Sequence, residues 1–122
     1  MCGALLLGAI AAIHLIAYPD HVRDAAYIGG LFLLNAATAV ALAVGIARGL
    51  RWAWPAGALL AGATLAGYIA ARTVGLPSYK EDDWVEAMGG LPVGLLSLVV
   101  EGLFVAVYVL IVTAEGRRRG LA

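Results

Sequence analysis

The sequence predicts an all-α integral membrane protein, a four-helix bundle that forms a single domain over residues 1–122. Hydrophobic residues make up 63% of the chain and charged residues only 13%, and the mean hydropathy is +0.94. Soluble domains carry about 25% charged residues. Four apolar runs are each long enough to cross the hydrocarbon layer, which takes about 20 helical residues. The runs lack the alternating pattern of membrane β-barrel strands, so strands are not expected in them.

The four spans are predicted at about residues 2–18, 25–47, 53–71 and 90–113. The first is interrupted only by His14. We expect Pro19 and Asp20 to end it, because proline cannot continue the helical hydrogen bonds. The second carries no charge and follows Asp24, a residue type that caps free backbone N–H groups. Both features favour a short polar connection between these two spans.

The third and fourth spans have similar signals at their ends. Pro55 lies in the first turn of the third span, where its missing N–H does no harm, and Arg72 closes that span. Gly89 and Pro92 mark the start of the fourth span, whose only charged residue is Glu101. We expect the longest connection, from about residue 72 to residue 86, to be too short for a second domain.

Composition and motifs exclude several functions. The eight acidic and eight basic residues cancel, so no strongly basic surface would attract nucleic acid. The single cysteine, Cys2, has no partner for a disulfide or a CxxC metal site. No nucleophile-base pair, phosphate-binding loop or zinc-protease motif occurs. The sequence therefore gives no specific support for an enzyme.

Orientation follows from the basic residues, which favour the cytoplasmic side when they are counted over short loops. An even number of spans places both termini on one side, which carries five basic residues against three on the other. The first set is Arg48, Arg51, Arg117, Arg118 and Arg119, and the second is Arg23, Arg72 and Lys80. We expect a multi-pass protein of the cell (plasma) membrane with both termini in the cytoplasm.

Small residues predict where the helices pack. Helices in lipid associate through close backbone contact at Gly and Ala more than through burial of apolar surface. In the third span such residues fall four apart at Ala58, Gly62, Ala66 and Ala70. We expect this stripe to form a close helix contact.

Glu101 is the most informative polar residue. It lies about ten residues into the fourth span, and an ionisable group at that depth normally faces the bundle interior or a water-filled cavity. Burial favours the neutral carboxyl unless a cation is near. Two roles stay open, a structural hydrogen bond across helices and a site for a proton or cation.

His14 is the candidate partner of Glu101 inside the membrane. Its imidazole could bind a metal ion together with Glu101, pair with that carboxyl, or bond a neighbouring carbonyl group. A haem held by two histidines would need both at matched depth on facing helices. We expect a single intramembrane histidine, because His21 shares a face with His14 only if the helix runs unbroken past Pro19. The cofactor stays unknown, since no specific motif supports a metal ion or haem.

Further polar residues complete a predicted pocket. Asn35 lies at the same depth as Glu101, and Tyr68 and Arg72 lie nearer the outer surface. We expect an outward-facing ligand-binding pocket lined by His14, Asn35, Tyr68, Arg72 and Glu101. Arg72 has three alternatives, to pair with Glu101, to bind an anion, or, more commonly, to extend to the lipid headgroups.

An acidic run follows the third span. Glu81, Asp82 and Asp83 follow one another directly. They lack the regular alternating oxygen ligands of a calcium loop. We interpret the run as a solvated loop.

Three features together resemble a group of small four-span actinobacterial membrane proteins. They are His14 in the first span, the turn Arg72-Thr73-Val74-Gly75-Leu76-Pro77 and Glu101 in the fourth span. The resemblance implies the four-span architecture and draws attention to His14, Arg72 and Glu101, but it supplies no activity. Length and span number are also similar to small multidrug-resistance transporters, whose membrane carboxylate lies in the first span, where this chain has His14.

Three functions stay open on these observations. The first is a non-catalytic membrane protein that binds a small ligand, metal ion or lipid-like cofactor in the outward-facing pocket. The second is a structural or accessory subunit of a larger membrane complex. The third is a proton-coupled exporter that works as a dimer through Glu101. The bilayer is the expected partner in each case, and a homo-oligomer or a larger complex stays open.

Single-cysteine labelling tests the predicted orientation. In a chain whose Cys2 is replaced by Ser, we expect Ser78→Cys to react with a membrane-impermeant thiol reagent added outside intact cells. Gly49→Cys should react only after the membrane is permeabilised. Reversed labelling at both positions would overturn the orientation.

Overall fold

The computed structural model describes residues 1–121. Its four helices are α1 (Cys2–Asp24), α2 (Ala26–Ala47), α3 (Ala53–Arg72) and α4 (Val93–Gly120). All four are long and apolar enough to span a membrane. The prediction of an all-α membrane four-helix bundle is therefore confirmed. The bounds of α2 and α3 lie close to the predicted spans, whereas α4 begins later and continues through the three C-terminal arginines.

Each helix packs against its neighbours in sequence, and α4 closes the ring by packing against α1. We call the end of the bundle that carries the termini and the α2–α3 turn the terminal face, and the opposite end the loop face. The largest buried apolar cluster joins α1, α2, α3 and α4 around Leu7, Ile10, Ala39, Ala61 and Phe104. These residues lie toward the terminal face. The half of the bundle near the loop face is left for polar side chains.

The end of α1 differs from the prediction. The helix does not stop before Pro19 but continues through it to Asp24. Proline removes only one backbone hydrogen bond near the end of a helix, and Pro19 itself is exposed. The extra turn buries His21 on the same face as Ala17. The expectation of a single intramembrane histidine on this face is therefore wrong, because His14 and His21 are both buried on α1.

The corner between α1 and α2 is formed by one extended residue, Ala25. So short a connection forces the two helix ends close together. A Cβ atom at Gly29 would lie 2.5 Å from the Cβ of Val22, nearer than two carbon atoms can approach. Glycine is therefore required at this position.

A short hairpin that the sequence analysis did not predict precedes α4. Strands β1 (Ala87–Met88) and β2 (Leu91–Pro92) pair antiparallel. The two residues between them, Gly89 and Gly90, have φ angles of 56° and 82°, and glycine tolerates such positive values without steric cost. The hairpin leads the chain back into α4.

The predicted small-residue stripe does not form the close helix contact in α3. A Cβ atom at Gly62 would meet no other atom within 4 Å. The buried small residues are instead Ala53, Gly57, Ala61 and Ala71, and the first three are also spaced four apart. At Gly57 an added Cβ would lie 2.6 Å from the ring of Phe104. The spacing was right and the face was wrong, because an Ala-rich and Gly-rich helix carries several equivalent stripes.

Matched glycine substitutions test this packing. We expect Gly57→Leu to destabilise the bundle by about 1–3 kcal/mol or more, because overpacking displaces the ring of Phe104. Gly62→Leu should leave the unfolding temperature near that of the unmodified protein. Thermal unfolding in detergent micelles measures both variants. Equal losses at the two positions would contradict the assigned contact.

Candidate functional site

A cavity of about 380 Å³ occupies the half of the bundle near the loop face. Its walls are mainly apolar side chains of α1, α2 and α3, including Ile13, Ile28, Phe32 and Leu60. Polar side chains enter it in two layers. We call His21, Arg72 and Glu86 the mouth cluster, and His14, Asn35, Thr64 and Ser97 the deep layer; all seven residues line the cavity.

The cavity opens sideways between α2 and α3, which form the least extensive of the four neighbouring helix pairs. Leu31 and Leu34 on α2 and Ala63 on α3 line the cavity and are also exposed. Both helices are long and apolar enough to span a membrane. The lateral opening is therefore bordered by apolar side chains.

The mouth cluster is a buried ionic group that joins α1, α3 and the connection before α4. The Arg72 Nη2 atom donates to the Glu86 Oε2 atom at 2.8 Å. The His21 Nε2 atom lies 2.5 Å from the other carboxylate oxygen, Oε1. The side chains of His21 and Arg72 are each 4% exposed and that of Glu86 is 13% exposed. Burial of a charge at this depth requires such a partner.

Arg72 directs its remaining donors to the protein as well. Its Nε atom donates to the Asp83 carbonyl at 2.9 Å, and its Nη1 atom donates to the Tyr68 carbonyl at 3.3 Å. The guanidinium carbon lies 3.6 Å from the centroid of the Tyr68 ring, a favourable cation–π position. The expectation that Arg72 extends to lipid headgroups is therefore wrong. Its carboxylate partner is Glu86, whereas pairing with Glu101 was one of the alternatives left open.

The connection between α3 and α4 is held over the loop face by hydrogen bonds to the helices. The Tyr27 hydroxyl donates to the Pro77 carbonyl, and the Tyr68 hydroxyl donates to the Trp84 carbonyl. The Glu81 N–H donates to the Ala71 carbonyl at 3.0 Å. These bonds bring residues from both ends of the connection to the cavity, where Leu76, Tyr79 and Glu86 are lining residues.

The acidic run within this connection is more ordered than a solvated loop. Asp82 and Asp83 are exposed as expected, but Glu81 is half-buried. Backbone N–H groups of Glu86 and Val85 hold the pKa of the Asp83 carboxyl below its usual value. Burial, followed by the negative charges of Glu81 and Glu86, raises the pKa of the Tyr79 phenol. Tyr79 thus stays a neutral hydrogen-bond donor at the cavity mouth.

His14 and Glu101 form the inner end of the polar region. The His14 Nδ1 atom donates to the Ile10 carbonyl at 2.8 Å, so its Nε2 atom is the acceptor of the neutral ring. That Nε2 atom lies 3.9 Å from the Glu101 Oε1 atom, too far for a hydrogen bond. The Ser97 hydroxyl donates to the same oxygen at 2.8 Å. Glu101 is fully buried and faces the bundle interior.

Asn35 presents an unused acceptor to the cavity. The Thr64 hydroxyl donates to the Leu60 carbonyl at 2.7 Å, so it must accept the bond from the Asn35 Nδ2 atom at 2.6 Å. The Asn35 Oδ1 atom is buried and has no hydrogen-bond partner among residues 1–121. A buried acceptor without a donor costs about 1–3 kcal/mol.

The structure brings most of the predicted site together. His14, Asn35, Tyr68 and Arg72 line one cavity, and Glu101 lies directly behind it, bonded to the lining residue Ser97. Ligand binding at these five residues and metal binding at His14 and Glu101 stay predictions.

Sequence reasoning missed His21 and Glu86. His21 was set aside because Pro19 was expected to end the helix, although it follows His14 by two helical turns. The Phe32 ring lies over both imidazoles, 5.0 Å from His14 and 4.2 Å from His21 between ring centroids. Because both histidines lie on one face of one helix, they cannot bind opposite sides of a single haem. Glu86 carried no signal in the sequence beyond its position between α3 and α4.

The chain matches no protein-family model, no curated protein and no solved structure.

The burial of the mouth cluster predicts that its ion pair contributes more to the stability of the protein than an exposed ion pair does. Glu86→Gln should destabilise the protein by about 3–5 kcal/mol, because it leaves the buried Arg72 without its charged partner. Glu115→Gln breaks the exposed pair with Arg51, whose charged atoms are 3.7 Å apart, and should cost at most about 1 kcal/mol. Thermal unfolding in detergent micelles compares the two. Similar losses for both variants would contradict the structural role of the mouth cluster.

Proposed function

We propose that this chain is a non-catalytic membrane protein that binds an amphipathic small molecule in the cavity between α2 and α3. The observation that carries the proposal is the buried Asn35 Oδ1 atom, which has no donor in the described structure and belongs to a cavity-lining residue. A ligand with a hydroxyl or amine group would supply that donor.

The size and the walls of the cavity support binding of a small molecule. Its volume, about 380 Å³, falls within the roughly 300–1,000 Å³ that is usual for ligand sites. Such sites combine apolar walls with a few polar groups that fix orientation. Here the walls supply apolar contact, and the deep layer supplies the polar groups.

The chemistry of the deep layer indicates the head group of the ligand. Two acceptor atoms belong to the cavity lining, the Asn35 Oδ1 atom and the Nε2 atom of a neutral His14. Thr64 already donates its proton to the Leu60 carbonyl and Ser97 donates to Glu101. The layer therefore favours a neutral, hydrogen-bond-donating head over an anionic one.

The lateral opening indicates that the ligand is lipid-like. Leu31, Leu34 and Ala63 border the opening, so an apolar tail can remain in contact with lipid while the head reaches Asn35. We place the loop face outside the cell, since the basic residues favour the terminal face for the cytoplasm. The ligand would then come from the outer leaflet of the plasma membrane. The exporter hypothesis gains no support from Glu101, which is enclosed within one chain.

A pair of matched probes tests the free acceptor. We expect 1-dodecanol to bind the nanodisc-embedded protein about tenfold more tightly than dodecyl methyl ether, which has a similar tail but no donor. Asn35→Leu should abolish that preference, because leucine has a similar size and no acceptor. Radiolabelled probes measure binding, with empty nanodiscs as the blank. Equal affinity of the two probes for the unmodified protein would sink the proposal.

A second pair of variants tests the place of binding. Gly67 lines the cavity, and a Cβ atom there would meet open space, so Gly67→Leu should fill the cavity and reduce dodecanol binding. Gly62→Leu adds the same side chain to the same helix outside the cavity and should leave binding unchanged. If both variants bind like the unmodified protein, the probe lies elsewhere.

A further inference from the structure

Three side chains with metal-binding atoms converge at the cavity mouth. His21, Glu81 and Glu86 each offer one ligand atom, and these atoms lie within 4.8 Å of one another. One residue comes from α1 and two from the connection between α3 and α4. From this geometry we propose that the three residues bind a divalent transition metal ion, with Zn²⁺ as the best fit. The site is separate from the deep layer and goes beyond binding of a lipid-like molecule.

The imidazole of His21 is prepared for a metal ion. Its Nδ1 atom donates to the Ala17 carbonyl at 2.9 Å, so its Nε2 atom is the one that can give up its proton and bind a metal ion. Histidines that bind metals almost always donate their other ring N–H in this way. His21 is only 3% exposed, and the stacked Phe32 ring, 4.2 Å away between centroids, restrains its orientation. The Nε2 atom faces the Glu86 carboxylate, 2.5 Å from its Oε1 atom.

The carboxylates are oriented as well. Arg72 occupies the Oε2 atom of Glu86, whereas the Oε1 atom of Glu86 is left to the His21 Nε2 atom, 2.5 Å away. This oxygen faces His21. The Glu81 Oε1 atom accepts a bond from the Asp83 N–H at 3.0 Å, which fixes the direction of that carboxylate. Such outer contacts position the ligands before the metal arrives.

The charges at the cavity mouth favour the binding of a cation. Two carboxylates, Glu81 and Glu86, lie close together at the mouth, and Arg72, which pairs with Glu86, supplies one fixed positive charge. When His21 is neutral, this group carries a net negative charge in a largely buried place. A divalent ion between His21 and the carboxylates offsets that charge. It would displace the proton on the His21 Nε2 atom, and the 2.5 Å gap between this nitrogen and the Glu86 Oε1 atom would widen to about 3 Å to admit the ion.

The donor set selects among metals. One imidazole nitrogen and two carboxylate oxygens suit Zn²⁺ and its neighbours in the transition series, whereas Ca²⁺ and Mg²⁺ prefer oxygen ligands alone. Three protein ligands leave a fourth tetrahedral position for water or another donor.

Zn²⁺ titration of the full chain in nanodiscs tests the site. By calorimetry after chelator treatment, we expect one saturable Zn²⁺ per chain. His21→Gln and Glu81→Gln should each weaken binding by on the order of tenfold or more. The matched controls are His14→Gln, which alters the other buried histidine of α1, and Asp82→Asn, which alters the exposed neighbour of Glu81. Both should bind Zn²⁺ like the unmodified protein.

The outcomes separate this site from its alternatives. The unfolding temperature reports whether each variant folds. If His21→Gln does not fold, the Zn²⁺ affinity of Glu81→Gln tests the site instead, because Glu81 lies outside the helices. Absence of saturable Zn²⁺ binding in the unmodified chain would overturn the proposal. So would unchanged affinity in Glu81→Gln, or a loss in His14→Gln with none in His21→Gln, which would place the ion at His14 and Glu101.

Discussion

The buried ionic contact of Arg72 with Glu86 and His21 is the interaction on which the half of the bundle near the loop face depends. In a membrane, a polar group without a protein partner is costly because lipid offers none. Arg72 ends α3, His21 lies in the last turn of α1, and Glu86 lies in the connection to α4. One carboxylate thus ties three segments of the chain together. The same contact folds the connection back over the loop face.

The cavity results from the separation of apolar packing at one end of the bundle from polar contacts at the other. Apolar packing is concentrated toward the terminal face, where small residues of α3 let Phe104 and Leu7 approach the helix backbone. Toward the loop face, ion pairs and hydrogen bonds replace that packing, and they hold the helix ends without filling the space between them. The gap falls between α2 and α3, to which the mouth cluster contributes only one member, Arg72. A bundle held by polar contacts at one end and by apolar packing at the other can therefore keep an internal space open to lipid.

The sequence was sufficient for the number and type of helices, because a run of about 20 apolar residues has few alternatives to a membrane helix. It also indicated that Glu101 faces inward, since a carboxyl facing lipid is costly. The length of α1 could not be predicted, because the penalty at Pro19 is local and the burial of His21 that offsets it is tertiary. The pairing of Arg72 with Glu86 depends on how the connection folds, which no periodic pattern records. The packing face of α3 was ambiguous because several small-residue stripes have the same spacing.

The contact between His21 and Glu86 is the most direct test of this account, since it requires both the continuation of α1 through Pro19 and the return of the connection over the cavity. Solid-state NMR of the protein in lipid bilayers can measure the dipolar coupling between the ¹⁵N-labelled His21 Nε2 atom and the ¹³C-labelled Glu86 carboxyl carbon. A measurable through-space coupling is expected, because the nitrogen lies 2.5 Å from a carboxylate oxygen and hence close to the carboxyl carbon. Absence of coupling in the folded protein would contradict the arrangement of the mouth cluster and the cavity that it borders.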